Sequence, residues 1–199
     1  MKPKADTPLA GYEVLLGVTG GIACYKSADL VSRLVQAGAG VTVAMTDSAE
    51  QFVAPLTFQT LSARPVYRSL WQATEDWKSG HISLTEQADL FVIAPATANI
   101  LAKMACGIAD ELVSCLALSA SGECPILVAP AMNTRMWNAP PTQDNMKRLR
   151  SWGVHVVGPG EGFLACRATG AGRMAEPAEV LDTITKIVRK WPPKRREQQ

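Results

Sequence analysis

The chain has 199 residues, 47% of them hydrophobic, and a formal net charge of +2. That is enough apolar material for one sizeable core, and it excludes an intrinsically disordered chain. The charge is uneven: the segment from Arg189 onward carries +4 and residues 1–188 carry −2, so the body lacks the basic excess of a nucleic-acid-binding surface.

Met1 to Pro8 is charged and short of apolar residues, unlike a signal peptide, and no apolar run approaches the ~20 residues of a membrane span. Five cysteines, at 24, 106, 115, 124 and 166, form no CxxC pair. This argues against a disulfide framework or a metal site and for a reducing, cytoplasmic setting. Cys24, Cys106, Cys115 and Cys124 are expected inside the protein, as free cysteines usually are.

Glu13 to Val18 reads as a first strand, followed by a helix from Ile22 to Ala37 that Gly38 stops. Ala23, Ser27, Leu30, Val31, Leu34 and Val35 share one face of that helix. Between strand and helix, Thr19-Gly20-Gly21-Ile22 is either a tight turn or a loop whose backbone N–H groups meet a phosphate at a helix N-terminus. It is not GxGxxG, so the dinucleotide fingerprint is not met. Val41 to Met45 is a second strand ending in Thr46-Asp47-Ser48, an N-cap or part of a phosphate cradle. Val66 to Leu70 is a short extra strand. His81 falls in an irregular region ahead of the next strand, where it is either structural or a base near neutral pH.

Leu90 to Ala94 is the third main strand, ending in Pro95-Ala96-Thr97-Ala98-Asn99; a helical stretch from Ile100 to Ala120 follows. Ile126 to Ala129 is the fourth. Just past its end lies Pro130-Ala131-Met132-Asn133-Thr134-Arg135-Met136-Trp137, a polar amide among methionines and a tryptophan. Asn133 can hydrogen-bond a carboxylate, and Trp137 and the methionines can cover a flat ligand; the same residues could equally be a polar turn with core-filling side chains. Helix Thr142 to Trp152, strand Val154 to Val157, with His155 read as structural, and helix Pro177 to Lys190 complete the pattern. Between the last two, residues 158–172 hold five glycines around Cys166 and Arg167, a composition suited to a mobile lid.

Strand–helix alternation predicts a single α/β domain over residues 1–199: a doubly wound, Rossmann-like (flavodoxin-like) parallel sheet with helices on both faces, a core of about 11–190 and a basic tail at 191–199. In such sheets ligands bind at the carboxyl edge. Three strand ends carrying glycine, hydroxyl and amide residues (Gly20, Gly21 and Ile22; Thr46 and Ser48; Thr97, Ala98 and Asn99) converge there and favour a mononucleotide such as FMN.

Five motifs then occur in one order: Gly20-Gly21-Ile22-Ala23-x-Tyr25-Lys26, His81-Ile82-x-Leu84, Pro95-Ala96-Thr97-Ala98-Asn99, Pro130-Ala131-Met132-Asn133-x-x-Met136-Trp137, and Ala165-Cys166-x-x-x-Gly170-x-Gly172-Arg173-Met174. With them the chain resembles the flavin-containing cysteine decarboxylases over roughly residues 11–190. The resemblance implies FMN as cofactor, bound between subunits of a homo-oligomer that is a trimer or a dodecamer. It implies His81, Asn133 and Cys166 as catalytic residues, with Asn133 holding the substrate's carboxylate and Cys166 acting as an acid on a clamp. Ala131, Met132, Asn133 and Arg173 are the expected substrate-binding residues, with Lys26 a further candidate toward substrate anions.

The implied reaction is oxidative decarboxylation of phosphopantothenoylcysteine to phosphopantetheine in coenzyme A biosynthesis, a carboxy-lyase activity. Alternatives within the resemblance are peptidyl-cysteine decarboxylation that stops at the enethiol, and a non-catalytic regulator of protein phosphatases. Arg167 stands where the family's clamp carries glycine. No phosphopantothenoylcysteine synthetase segment is present, so a separate synthetase is the expected pathway partner, with neither nucleic acid nor membrane involved.

Overall fold

The computed structural model describes residues 7–71, 80–163, 169–190 and 192–194. In chain order the elements are β1 (Glu13–Val18), α1 (Cys24–Gln36), β2 (Gly40–Met45), α2 (Asp47–Glu50), α3 (Pro55–Ser62), β3 (Val66–Tyr67), α4 (Gly80–Gln87), β4 (Leu90–Ala96) and α5 (Ala98–Cys106). They continue with α6 (Leu112–Ser119), β5 (Ile126–Pro130), α7 (Thr134–Asn138), α8 (Pro140–Ser151), β6 (His155–Val156), β7 (Gly160–Phe163), β8 (Thr169–Arg173) and α9 (Pro177–Val188). β1 to β6 form one parallel sheet in the order β3-β2-β1-β4-β5-β6. This is the expected doubly wound α/β fold, and its order reverses direction between β1 and β4.

Each strand alternates its side chains between two layers. Val14, Leu16 and Val18 of β1 and Leu90, Val92 and Ala94 of β4 join the layer under α1, α3 and α9. Leu15, Phe91 and Ile93 face the opposite layer, built with α5, α6 and α8. Phe91 is fully buried, worth roughly 1.5–3 kcal/mol relative to an exposed ring. Gly17 sits against it, where a Cβ would come within 3.2 Å of the ring. α1 packs by Cys24, Ser27, Leu30, Val31 and Leu34. Val35, expected on that face, is 38% exposed and the buried Lys26 sits inside.

Four expectations change. The single helix expected over Ile100 to Ala120 is two, because Gly107 takes the left-handed conformation (φ 69°) that ends α5. The Glu111 carboxylate then starts α6 afresh by accepting the N–H groups of Val113 at 2.9 Å and Ser114 at 2.7 Å. His81 lies in the first turn of α4, not in irregular chain. The lid segment is built from two paired strands: β7 and β8 form an antiparallel hairpin with Gly162 opposite Gly170. Cys166 and Arg167, between them, lie outside the described residues. Cys24 is buried as expected and Cys115 and Cys124 are half-buried, but Cys106, the last residue of α5, is exposed. Burial still pushes the Cys124 thiol up to about 11. Among the described residues no helix is long and apolar enough to cross a membrane.

Candidate active site

The site is built at the carboxyl edge of the sheet, where β1 and β4 lie side by side and the chain leaves them in opposite directions. Thr19, the residue after β1, stitches the two exits together. Its buried hydroxyl donates to the Pro95 carbonyl at 2.7 Å and accepts the Thr97 N–H at 3.1 Å. Thr97 in turn caps α5 by accepting the Ile100 N–H at 3.3 Å. Ser27 of α1 donates to the Ala94 carbonyl at 2.7 Å, which pins the first helix across the same junction. Two βα turns are thereby held as one rigid floor.

Above this floor lies a cavity of about 520 Å³. Gly20, Gly21 and Ile22 form one wall, Thr97, Ala98 and Asn99 another, and Ala131, Met132 and Asn133 a third, with Arg173 at the end of β8 and Met174 after it also lining the space. A second, more polar cavity of about 290 Å³ opens beside it, lined by Thr46, Ser48, Arg68 and Lys103 among others. The two share Gly20, Thr97 and Asn99. The glycines explain the shape. A Cβ on Gly20 would fall on Ser48 and within 2.8 Å of its carbonyl carbon, so only glycine lets these turns approach. A Cβ on Gly21 would meet nothing within 4 Å: it would project into open space at the cavity wall.

Asn133 is the N-cap of α7, and its Oδ1 accepts the Arg135 N–H at 2.7 Å. That bond settles which end of the amide is oxygen and makes Nδ2 the donor end. Arg173 donates to Glu176 at 2.6 Å, and the same Oε1 accepts from Lys26 at 3.0 Å. Lys26 also donates to the Met174 carbonyl at 2.8 Å, and its side chain is 5% exposed. It is a buried strut between α1 and the entry to α9, and it also borders the larger cavity. In the smaller cavity each cation has a partner: Arg68 holds the Glu50 carboxyl below its usual range by hydrogen bonding, and Lys103 does the same to Asp110.

The structure brings together Gly20, Gly21, Ile22, Thr97, Ala98, Asn99, Ala131, Met132, Asn133 and Arg173 in the larger cavity, and Thr46 and Ser48 in the smaller. Thr46 is also the N-cap of α2, accepting the Ala49 N–H at 3.3 Å. Residues 82–87 of α4 line neither cavity, and the His81 side chain lies outside the described ones. Sequence reasoning missed Phe163, Arg68 and Lys103. Lys103 was legible, since four residues past Asn99 is the same helix face. Arg68 depends on β3 pairing beside β2, and Phe163 on the hairpin.

The shape suits a flat ring in the larger cavity, and the smaller offers the hydroxyls of Thr46 and Ser48 between paired cations and the acids Asp47 and Glu111. Residues 3–189 match the family described as Flavoprotein. The coenzyme A biosynthesis bifunctional protein CoaBC of Vibrio cholerae is 46% identical over 173 residues, which is 87% of this chain and 43% of that protein. The chain thus spans less than half the length of that bifunctional relative. A probable phosphopantothenoylcysteine decarboxylase of Streptococcus mutans is 45% identical over 172 residues, 86% of this chain and 94% of that protein. Among solved structures, a PPC decarboxylase mutant complexed with pantothenoylaminoethenethiol is similar with a TM-score of 0.78 and 32% identity, over 87% of this chain and 96% of that one. The FMN-dependent cysteine decarboxylase SpaF reaches a TM-score of 0.79 at 29% identity, over 91% of this chain and 97% of that one.

Proposed function

The chain belongs to the Flavoprotein family, and from that premise we propose that it is an FMN-dependent phosphopantothenoylcysteine decarboxylase of coenzyme A biosynthesis. The observation that carries this reading is the pair of joined cavities at the switch point of the sheet, one walled by Met132, Asn133 and Gly172, the other by Thr46 and Ser48. Gly20, Gly21 and Ile22 with Thr97, Ala98 and Asn99 would hold the cofactor across the junction, and Thr46 and Ser48 its phosphate. The open space at the Gly21 Cβ position and the absence of GxGxxG fit a mononucleotide. When bound, FMN supplies the two-electron oxidation of the cysteinyl CH₂–SH that creates an electron sink beside the carboxylate-bearing carbon.

The chain's own residues orient and move protons. Asn133 presents Nδ2 to the substrate carboxylate. His81 serves as base toward the substrate thiol. Cys166, outside the described residues, serves as the acid of the closing step. Arg173, held by Glu176 at the cavity wall, faces the substrate's anionic groups. The missing CxxC pairs and odd cysteine count support a reducing, cytoplasmic setting. The test is direct: the purified protein should be yellow, release FMN on denaturation, and evolve carbon dioxide from phosphopantothenoylcysteine with phosphopantetheine as product. Recovery of FAD, or a protein that takes up flavin but releases no carbon dioxide, sinks the proposal. A product two hydrogens lighter than phosphopantetheine moves the chain to the peptide-processing type of reaction.

The site also points to a second copy of the chain. α4 packs on α6, with Thr85 Oγ1 2.9 Å from Ser119 Oγ, on the sheet face away from α1. Ile22, Tyr25 and Phe163, all in the cavity lining, are 60%, 60% and 67% exposed. A neighbouring chain that covers them and supplies His81 would complete the site. Light scattering should accordingly give a mass that is a multiple of three chains; a flavin-loaded monomer with full activity contradicts it.

A further inference from the structure

We propose that Gly170 and Gly172 of β8 are positioning residues that seat the Asn133 loop directly on the hairpin backbone, with the Thr134 side chain as the spacer. In a strand, residues two apart share a face, so Gly170 and Gly172 leave one face of β8 without side chains. The loop after β5 lies on that face. The Met132 N–H donates to the Gly172 carbonyl at 2.9 Å. A Cβ on Gly172 would fall on the Met132 carbonyl oxygen, and its φ of +137° is one that L side chains rarely adopt. A Cβ on Gly170 would stand 2.7 Å from Thr134 Oγ1, 3.0 Å from its Cγ2 and 3.4 Å from its Cβ.

Thr134 Oγ1 is itself fully buried and has no hydrogen-bond partner among the described residues. Buried polar atoms are nearly always paired, so here the side chain acts by its volume. Glycine in a strand interior often marks a site where another backbone approaches closely. In this protein that backbone carries Asn133 at the next position. Hairpin and amide therefore sit in a fixed mutual relation. The role rests on the reading of Asn133 as the group that orients the substrate.

The test is a double-mutant cycle in the full-length chain, read both by thermal midpoint and by steady-state kinetics with phosphopantothenoylcysteine. Gly170→Ala should lower the midpoint by several degrees and lower kcat/KM by roughly 10²-fold, as a displacement on the order of 1 Å can. The loss should fall on KM, because a mere loss of folded protein lowers kcat alone. Adding Thr134→Ala removes Oγ1 and Cγ2, the two nearest atoms, and should restore both readouts to those of Thr134→Ala by itself. Adding Thr134→Val, which keeps the volume, should not. If Gly170→Ala matches wild type in both readouts, or if Thr134→Ala fails to rescue it, the seating is wrong. If wild type turns over no substrate, the proposed function fails, and the thermal cycle alone still decides the seating.

Discussion

Asn133→Asp is expected to abolish turnover while the protein stays folded. The two halves of this result follow from two ends of one side chain. Oδ1 caps α7 through the Arg135 N–H, and aspartate is as good an N-cap as asparagine. The other end changes from an N–H donor to a carboxylate oxygen. Facing a substrate carboxylate, it repels what the amide attracted. Like charges brought together in a binding site cost several kcal/mol, so kcat/KM should fall on the order of 10³-fold. Asn133→Ala separates the functions differently: it loses the cap at about 1 kcal/mol as well as the substrate contact. His81→Asn, from the other proposed element of the site, should cost ~10²–10⁴-fold in rate with flavin still bound. Near-normal kinetics with folded Asn133→Asp would remove Asn133 from the mechanism.

The second large effect is expected at two adjacent glycines that a motif match treats alike. Gly20→Ala should lower stability by roughly 1–3 kcal/mol, the usual cost of overpacking, and should lose bound flavin. Its methyl collides with Ser48, including backbone atoms that cannot turn aside. The β1–α1 and β2–α2 turns must then part, and they border the smaller cavity. Gly21→Ala should leave the unfolding free energy of the flavin-free protein within about 0.5 kcal/mol of wild type, the usual range for a surface change. Its methyl enters open space, which becomes occupied only when a ligand lies there. Flavin affinity should therefore fall in both variants and stability in one. Titration of the apoprotein with FMN and denaturant unfolding of each variant check this. Equal destabilisation by both substitutions would mean that the Gly21 wall is not the open one.

Much of the fold was legible because a buried parallel strand announces itself. Glu13–Val18, Leu90 onward and Ile126 onward are near-continuous apolar runs, and burial on both faces demands nothing else of a strand. The site's edge followed from topology: once strands alternate with helices, the turns after strand ends are where small hydroxyl and amide residues become available to a ligand. Gly107 was harder. A lone glycine within a helical pattern is often tolerated at about 1 kcal/mol, and only the left-handed backbone there, with Glu111 capping the next helix, makes it a stop. The hairpin was hidden for a related reason. Its strands, GEGF and TGAGR, carry almost no apolar alternation, since what holds them is backbone pairing and the fit of Gly172 on Met132.

The chemistry-bearing residue types, their order along the chain and their places at strand ends were determined by the sequence alone, because each rests on interactions within a few residues. Which of them meet was decided only by tertiary structure. Thr19 reaches Thr97 across 78 positions, Lys26 reaches Glu176 across 150, and Met132 rests on Gly172. Those meetings depend on β1 pairing with β4 and on α9 returning across α1, and no local propensity encodes a pairing between segments so far apart. The same distance hid the partner of Lys26, because the carboxylate that holds it arrives from the far end of the chain.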